Sequence, residues 1–127
     1  MQTRTTTASK SDASGTFLFK FGSFGNGDDQ FSFSSGDVAV DGAGKVYVAD
    51  FNNHRIQVFD ANGTYLFKFG FSGGGDGQFD IPVGVAVDTA GNIYVADTNN
   101  HRIQVFDADG TFLFKFGSFG EGDGRFK

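Results

Sequence analysis

The sequence predicts an all-β chain of two four-stranded antiparallel units plus one extra outermost strand, and three observations carry that prediction. Residues 37–70 (DVAVDGAGKVYVADFNNHRIQVFDANGTYLFKFG) return 47 positions later as 84–117 (GVAVDTAGNIYVADTNNHRIQVFDADGTFLFKFG), with seven differences in 34 places. Apolar residues inside each copy alternate with a period of two, the signal of strands; no segment has a helical period, so almost no helix is expected. The closing segment GTFLFKFGSFG stands at 15–25 and again, identically, at 110–120. Self-similarity at such a period marks stacked supersecondary units, none of which buries its own hydrophobic face.

The elements follow in order within the second copy. Strand a is Val85-Ala86-Val87, ended by Asp88 and the turn Thr89–Asn92. Strand b is Ile93–Ala96, broken by Asp97-Thr98-Asn99-Asn100. Strand c, Arg102–Phe106, runs into Asp107-Ala108-Asp109-Gly110, a hairpin turn in which Gly supplies a positive φ. Strand d is Phe112–Phe116. Four short antiparallel strands followed by a Gly-rich crossover are the pattern of a propeller blade. Strands a and b are apolar on both faces, as sheets sandwiched between blades require. Strand d sets three Phe against Leu113 and Lys115, which predicts packing on the next blade with Lys115 at the rim. A β-sandwich or open solenoid is the blander alternative, but a period near 47 is too long for a solenoid coil.

Residues 1–14 (MQTRTTTASKSDAS) are polar and read as a disordered leader; 15–127 is the repeat region. It divides into a lone outer strand (15–25), blade 1 (37–70), blade 2 (84–117) and the start of a further crossover (118–127). The entry FSFSSGDVAVD (31–41) is one residue longer than FDIPVGVAVD (79–88) and lacks its Pro82, so a looser, bulged entry to blade 1 is expected. The chain has no Cys, which removes disulfides and Cys-based zinc sites. A net charge of −5 with scattered Lys and Arg argues against a phosphate-binding surface, hence against nucleic acid. Neither a bilayer-spanning apolar run nor a signal peptide is legible, so membrane insertion is not expected and the cytoplasm is the default address.

The runs 46–70 and 93–117 closely resemble the NHL repeat, whose Asn-His-Leu signature reads here as Asn53-His54-Arg55-Ile56 and Asn100-His101-Arg102-Ile103. The crossover GDGQFDIPVGVAVD (75–88) is similar to that family's too. The resemblance implies a β-propeller, usually of six blades, for which six units of about 47 residues are needed. Two blades leave two apolar faces uncovered, and self-association is the expected remedy, three chains making six blades. Thr16–Phe21 duplicates Thr111–Phe116; it is either a swapped clasp completing a neighbour's blade or a strand cut from a longer array.

Chemistry-bearing residues recur with the repeat, which favours structure over catalysis. Asp50, Asn53, His54 and Arg55, with Asp97, Asn100, His101 and Arg102, form the repeated motif. Asp and Asn shape the b–c turn; Arg is expected to pair with that Asp or with a neighbouring blade, a rim-exposed architectural pair; each His is expected to bond the turn and the adjacent blade. The crossovers GNGDDQF (25–31), GGGDGQF (73–79) and GEGDGRF (120–126) offer one or two carboxylates each, too few for a calcium cage, and their Phe is expected to plug between blades. No nucleophile elbow, P-loop or dinucleotide fingerprint is present, so no enzyme activity, cofactor or metal is expected. Ligand-binding candidates are the positions on the crossover and b–c face that vary between copies, Phe51 against Thr98 first and Asp37 second, with Asn52 and Asn99 beside them. The expectation is a non-catalytic building block, homo-oligomeric, with a protein or peptide as possible ligand. The alternative is a fragment of a propeller enzyme of lyase or lactonase type, its metal site assembled in the oligomer around His54 and His101.

Overall fold

A computed structural model gives the fold and describes residues 8–11, 17–21, 23–32 and 37–118. Strand β1 (Ala8–Ser11) pairs antiparallel with β2 (Phe17–Phe21), and β3 (Ser23–Phe24) pairs parallel with β4 (Gln30–Phe31). Part of the polar leader is therefore a strand, and the duplicate outer strand lies against it rather than on a blade. The repeats form two four-stranded antiparallel sheets with neighbours in chain order. Blade 1 is β5 (Val38–Val40), β6 (Val46–Asp50), β7 (Arg55–Phe59) and β8 (Tyr65–Phe69). Blade 2 is β9 (Pro82–Val87), β10 (Ile93–Asp97), β11 (Arg102–Phe106) and β12 (Phe112–Phe116). These are the a, b, c and d strands of the alternation. Apart from them, Phe51–Asn53 and Thr98–Asn100 form single 3-10 turns between b and c.

The turns are set by aspartates. At each a–b turn one carboxylate oxygen accepts two backbone N–H groups, Asp41 from Ala43 and Lys45, Asp88 from Ala90 and Asn92, all at 2.9 Å. The other oxygen takes the hydroxyl of Tyr47 or Tyr94 at 3.0 Å. Asp60 and Asp107 cap the c–d turns in the same way. Such side-chain turns satisfy backbone donors that the hairpin leaves over. The Asn92 N–H beside Asp88, against some desolvation, holds its carboxyl below the usual carboxylate range, with Tyr94 and Ala90 adding to the effect. A carboxyl depressed in the folded state contributes stability at neutral pH that is lost as pH falls through its folded pKa. We expect Asp88→Asn to be less stable at neutral pH and to show a flatter loss of stability in acid, checked by urea unfolding at a series of pH values.

Packing between the blades gives each sheet face its own environment. One face of blade 1, with Tyr47, Ala49, Ile56 and Val58 buried, stacks on the opposite kind of face of blade 2, with Val85, Ile93, Val95 and Phe106 buried. Phe67 and Phe69 of strand d and Val87 and Phe112 of blade 2 complete this junction. Phe79 is the plug between blades that its crossover predicts, its ring 6.3 Å from Phe69 and 5.6 Å from Phe106. On the far face of blade 1, Phe31 packs with Val46, Val48, Phe59 and Tyr65. Strand a of blade 1 departs from the sandwiched state expected of it: Val38 and Val40 are 47% and 55% exposed, since no blade lies over them.

The expected bulge at the blade 1 entry falls at residues 33–36, outside the described residues. The entry to blade 2 has a register break, where β9 pairs Gly84 with Ala96 but Pro82 with Asp97. Pro82 opens the strand, the position in a sheet where a missing donor is tolerated.

Candidate functional site

The b–c turns and the Gly-rich crossovers meet over a buried polar cluster that is repeated in both blades. Asp50 ends β6 and Arg55 starts β7, so the pair faces across one turn, Arg55 Nε donating to Asp50 Oδ2 at 2.8 Å. In blade 2 Arg102 Nε donates to Asp97 Oδ2 at 2.7 Å. The turn sequence alone places both pairs at the solvent rim; they are buried instead, Asp97 at 0% and Arg102 at 8% exposure. The reason is the crossover, which lies over the guanidinium. Arg55 donates to the carbonyls of Asn26, Gly27 and Gln30; Arg102 donates to those of Gly74, Gly75 and Gln78, at 2.8–2.9 Å. Asn53 and Asn100 each bridge the aspartate and the crossover, at Gly25 O and Gly73 O.

Two residues of this cluster escape a reading of charged and turn-forming side chains. Gln57 and Gln104 are fully buried; each donates to the aspartate and to a crossover carbonyl, and each accepts a crossover N–H. The signal was present as a Gln inside the apolar run RIQVF, at the same place in both copies. A polar side chain held inside such a strand has to find partners.

The other candidates are distributed rather than convergent. Phe51 and Thr98 each open their own 3-10 turn, one blade apart, Phe51 half-buried and Thr98 exposed. Asn52 is exposed; Asn99 is tied to the Asp80 carbonyl through its N–H at 3.0 Å and to the Asp80 carboxylate through its amide at 3.3 Å. Asp37 bridges the blades, its Oδ2 accepting the Val85 N–H at 3.2 Å. Gly84, its counterpart, packs closely on Ala96: a Cβ there would stand 3.1 Å from that of Ala96 and 3.9 Å from Asp37 Oδ2. His54 Nδ1 accepts the Ile81 N–H of the next crossover at 3.2 Å, and His54 and His101 both close their turns in the left-handed region. Among the described residues, no three His, Asp or Glu are grouped to hold a metal ion.

The crossover carboxylates are engaged by lysines. Asp28 pairs with Lys68 and Asp76 with Lys115, each at 2.6 Å on the exposed edge of strand d. Asp29, second acid of the doubled pair, lies at φ +63 where the second crossover has Gly77, and its Oδ1 is buried without a partner. Burial pushes its carboxyl up. Both observations count against Asp at this position, and Asp29→Gly should raise stability by about 1 kcal/mol, read as a higher urea midpoint.

Stacked four-stranded blades, joined by crossovers that arginines clamp, define a propeller-type repeat protein whose two blades do not close a ring. The family model described as the NHL repeat matches residues 36–59 and 79–106, so the chain carries two NHL repeats. A 40-residue stretch is 62% identical to the B-box type zinc finger protein ncl-1 of Caenorhabditis elegans, covering 32% of this chain and 5% of that protein. A crystal structure of a Bacteroides fragilis protein superposes with a TM-score of 0.60 over 75% of this chain and 27% of that one, at 21% identity, a likeness of fold alone. The chain thus spans a small part of the length of both relatives. No helix among the described residues is long and apolar enough to cross a membrane.

Proposed function

We propose that the chain is a non-catalytic propeller building block that self-associates through its open blade faces, three copies giving six blades, and serves as a binding scaffold. The observation that carries this reading is the mismatch between equivalent residues of the two blades. Phe67 and Phe69 pack against blade 2, while their counterparts Phe114 and Phe116 are 52% and 49% exposed. At the other end Val38 and Val40 are exposed, while their counterparts Val85 and Val87 join the junction. The two open faces are therefore the same two kinds of surface that already fit each other inside the chain. Apolar surface of this sort on a folded protein marks a contact site. The contact is head-to-tail, and it closes when the rotation per chain matches the ring.

The scaffold's binding face is the one that carries the b–c turns and crossovers, where Phe51 and Thr98 are the pair that varies, Thr98 and the invariant Asn52 exposed and Phe51 half-buried. A protein or peptide suits it better than nucleic acid, given the net charge of −5. Light scattering over a dilution series is expected to give about 41 kDa, three chains of 13.6 kDa. Val38→Asp with Val40→Asp, on the open face of blade 1, should return the mass to that of one chain with both blades folded. Phe51→Thr should leave the oligomer unchanged. A wild-type chain that stays monomeric at high concentration would overturn the proposal.

A further inference from the structure

The duplicate outer strand has a place in the assembly, and the crossover that comes after it indicates where. Residues 25–31 are seated on blade 1 as 73–79 are seated on blade 2. Arg55 and Asn53 hold the first, Arg102 and Asn100 the second. The parallel pairing Phe24↔Phe31 repeats Ser72↔Phe79, and the bond from Gly25 N–H to Phe31 O repeats that from Gly73 N–H to Phe79 O. In the second case the strand ending four residues before the seated glycine is β8, the outer strand of the preceding blade. In the first case it is β2, also ending four residues before its glycine, and within the described residues it has only β1 beside it. The N-terminal crossover is built as though a blade preceded it.

If a second copy's blade 2 occupies that place, as the self-association above requires, two identical strands compete for its outer edge. One is that copy's own β12, paired to β11 with Ile103 opposite Phe116 and Val105 opposite Phe114. The other is β2 of the incoming copy. The strands themselves do not differ, since 15–25 and 110–120 are identical. The segments downstream of them do. In sequence β12 is followed by a third crossover segment, GEGDGRF, matching the one that is seated on blade 1. That seat is already filled by residues 25–31, whose carbonyls use the Arg55 guanidinium. The chain after β2 runs directly into the seated crossover. At the junction inside the chain, outer strand, crossover and plugging Phe79 are likewise one continuous stretch. We infer that β2 of one copy exchanges into the outer position of another copy's blade 2, displacing β12, so that each junction between copies is clasped by a swapped strand. Exchange of identical elements between protomers is a low-cost route to assembly, because the incoming strand restores the same pairing that the outgoing one gives up.

The test uses the full chain, which has no cysteine of its own. Identity of the two segments puts Phe21 where Phe116 stands, opposite Ile103. Cysteines at Phe21 and Ile103 then fall within the Cα separation that a disulfide spans, which antiparallel partners satisfy. Under mild oxidation the Phe21→Cys, Ile103→Cys chain is expected to form links between copies, and each single variant none. Hydrogen exchange on the wild-type oligomer gives a second readout that needs no substitution. Amides of 17–21 should exchange at least about tenfold more slowly than those of 112–116, the two segments being told apart by their flanking residues. An oligomer with no such link and with 112–116 the protected copy would overturn the exchange and leave self-association standing. A monomer by light scattering would overturn both.

Discussion

Asp97→Ala is expected to cost about 3–5 kcal/mol, a large fraction of the stability of a small domain. The loss has little to do with the attraction between two charges as such. Asp97 takes Arg102, Asn100 and Gln104 on one oxygen, at 2.7, 2.9 and 3.3 Å, and the Asp80 N–H on the other at 2.7 Å. Removing it leaves a guanidinium buried without its counter-ion and an N–H without its acceptor. Replacing Arg102 by Met as well would relieve the unpaired charge, yet it would take the guanidinium from three crossover carbonyls, leaving Gly75 O to the Gln78 N–H and Gln78 O to Gln104. The double variant should therefore recover only part of the loss, and a double-mutant cycle by urea unfolding reads the coupling. Arg102→Lys should not substitute for Arg, because one ammonium cannot reach the aspartate and three carbonyls that a planar fork serves together.

The same cluster shows what could and could not be read from residues alone. The four strands, their order and the turn positions were legible, because period-two alternation and Asp–Gly turns are local properties. The pairing of Asp50 with Arg55 was legible too, since both flank one turn. Its burial was not, because burial depends on the crossover folding over the guanidinium, a contact between residues 25–29 apart in sequence. Gln57 and Gln104 were missed for a related reason: apart from the aspartate, their partners are a carbonyl and an N–H of the crossover backbone, which leave no mark in the sequence. Asp37 reads as a variable position on an exposed face, but its carboxylate serves the Val85 N–H. A difference between two copies can therefore report which junction a blade faces as well as what it binds. The strand in the leader had no signal, since ASKS lacks the β-branched and aromatic residues by which strands are recognised.

Phe79→Ala is the second large effect, about 3–5 kcal/mol, and its comparison with Phe31→Ala separates a filled junction from an open one. Phe79 is fully buried between two sheets, set against Phe69 and Phe106 and lying over Gly70, where a Cβ would collide with its ring. Its removal opens a cavity walled on both sides by blades whose strands are hydrogen-bonded in place, so collapse can recover little of the lost packing. Phe31 is its counterpart on the open face of blade 1, packed on Phe59 at 5.7 Å with no second sheet above it. Measured on dilute single chains, Phe31→Ala should cost less than Phe79→Ala, because Phe31, though buried, is packed on one blade sheet and not between two. With the chains assembled, the Phe31 site gains the missing wall and the two costs should converge. Urea midpoints of both variants, taken at low and high protein concentration, check this. Costs that stay unequal at every concentration would mean that no blade ever covers Phe31.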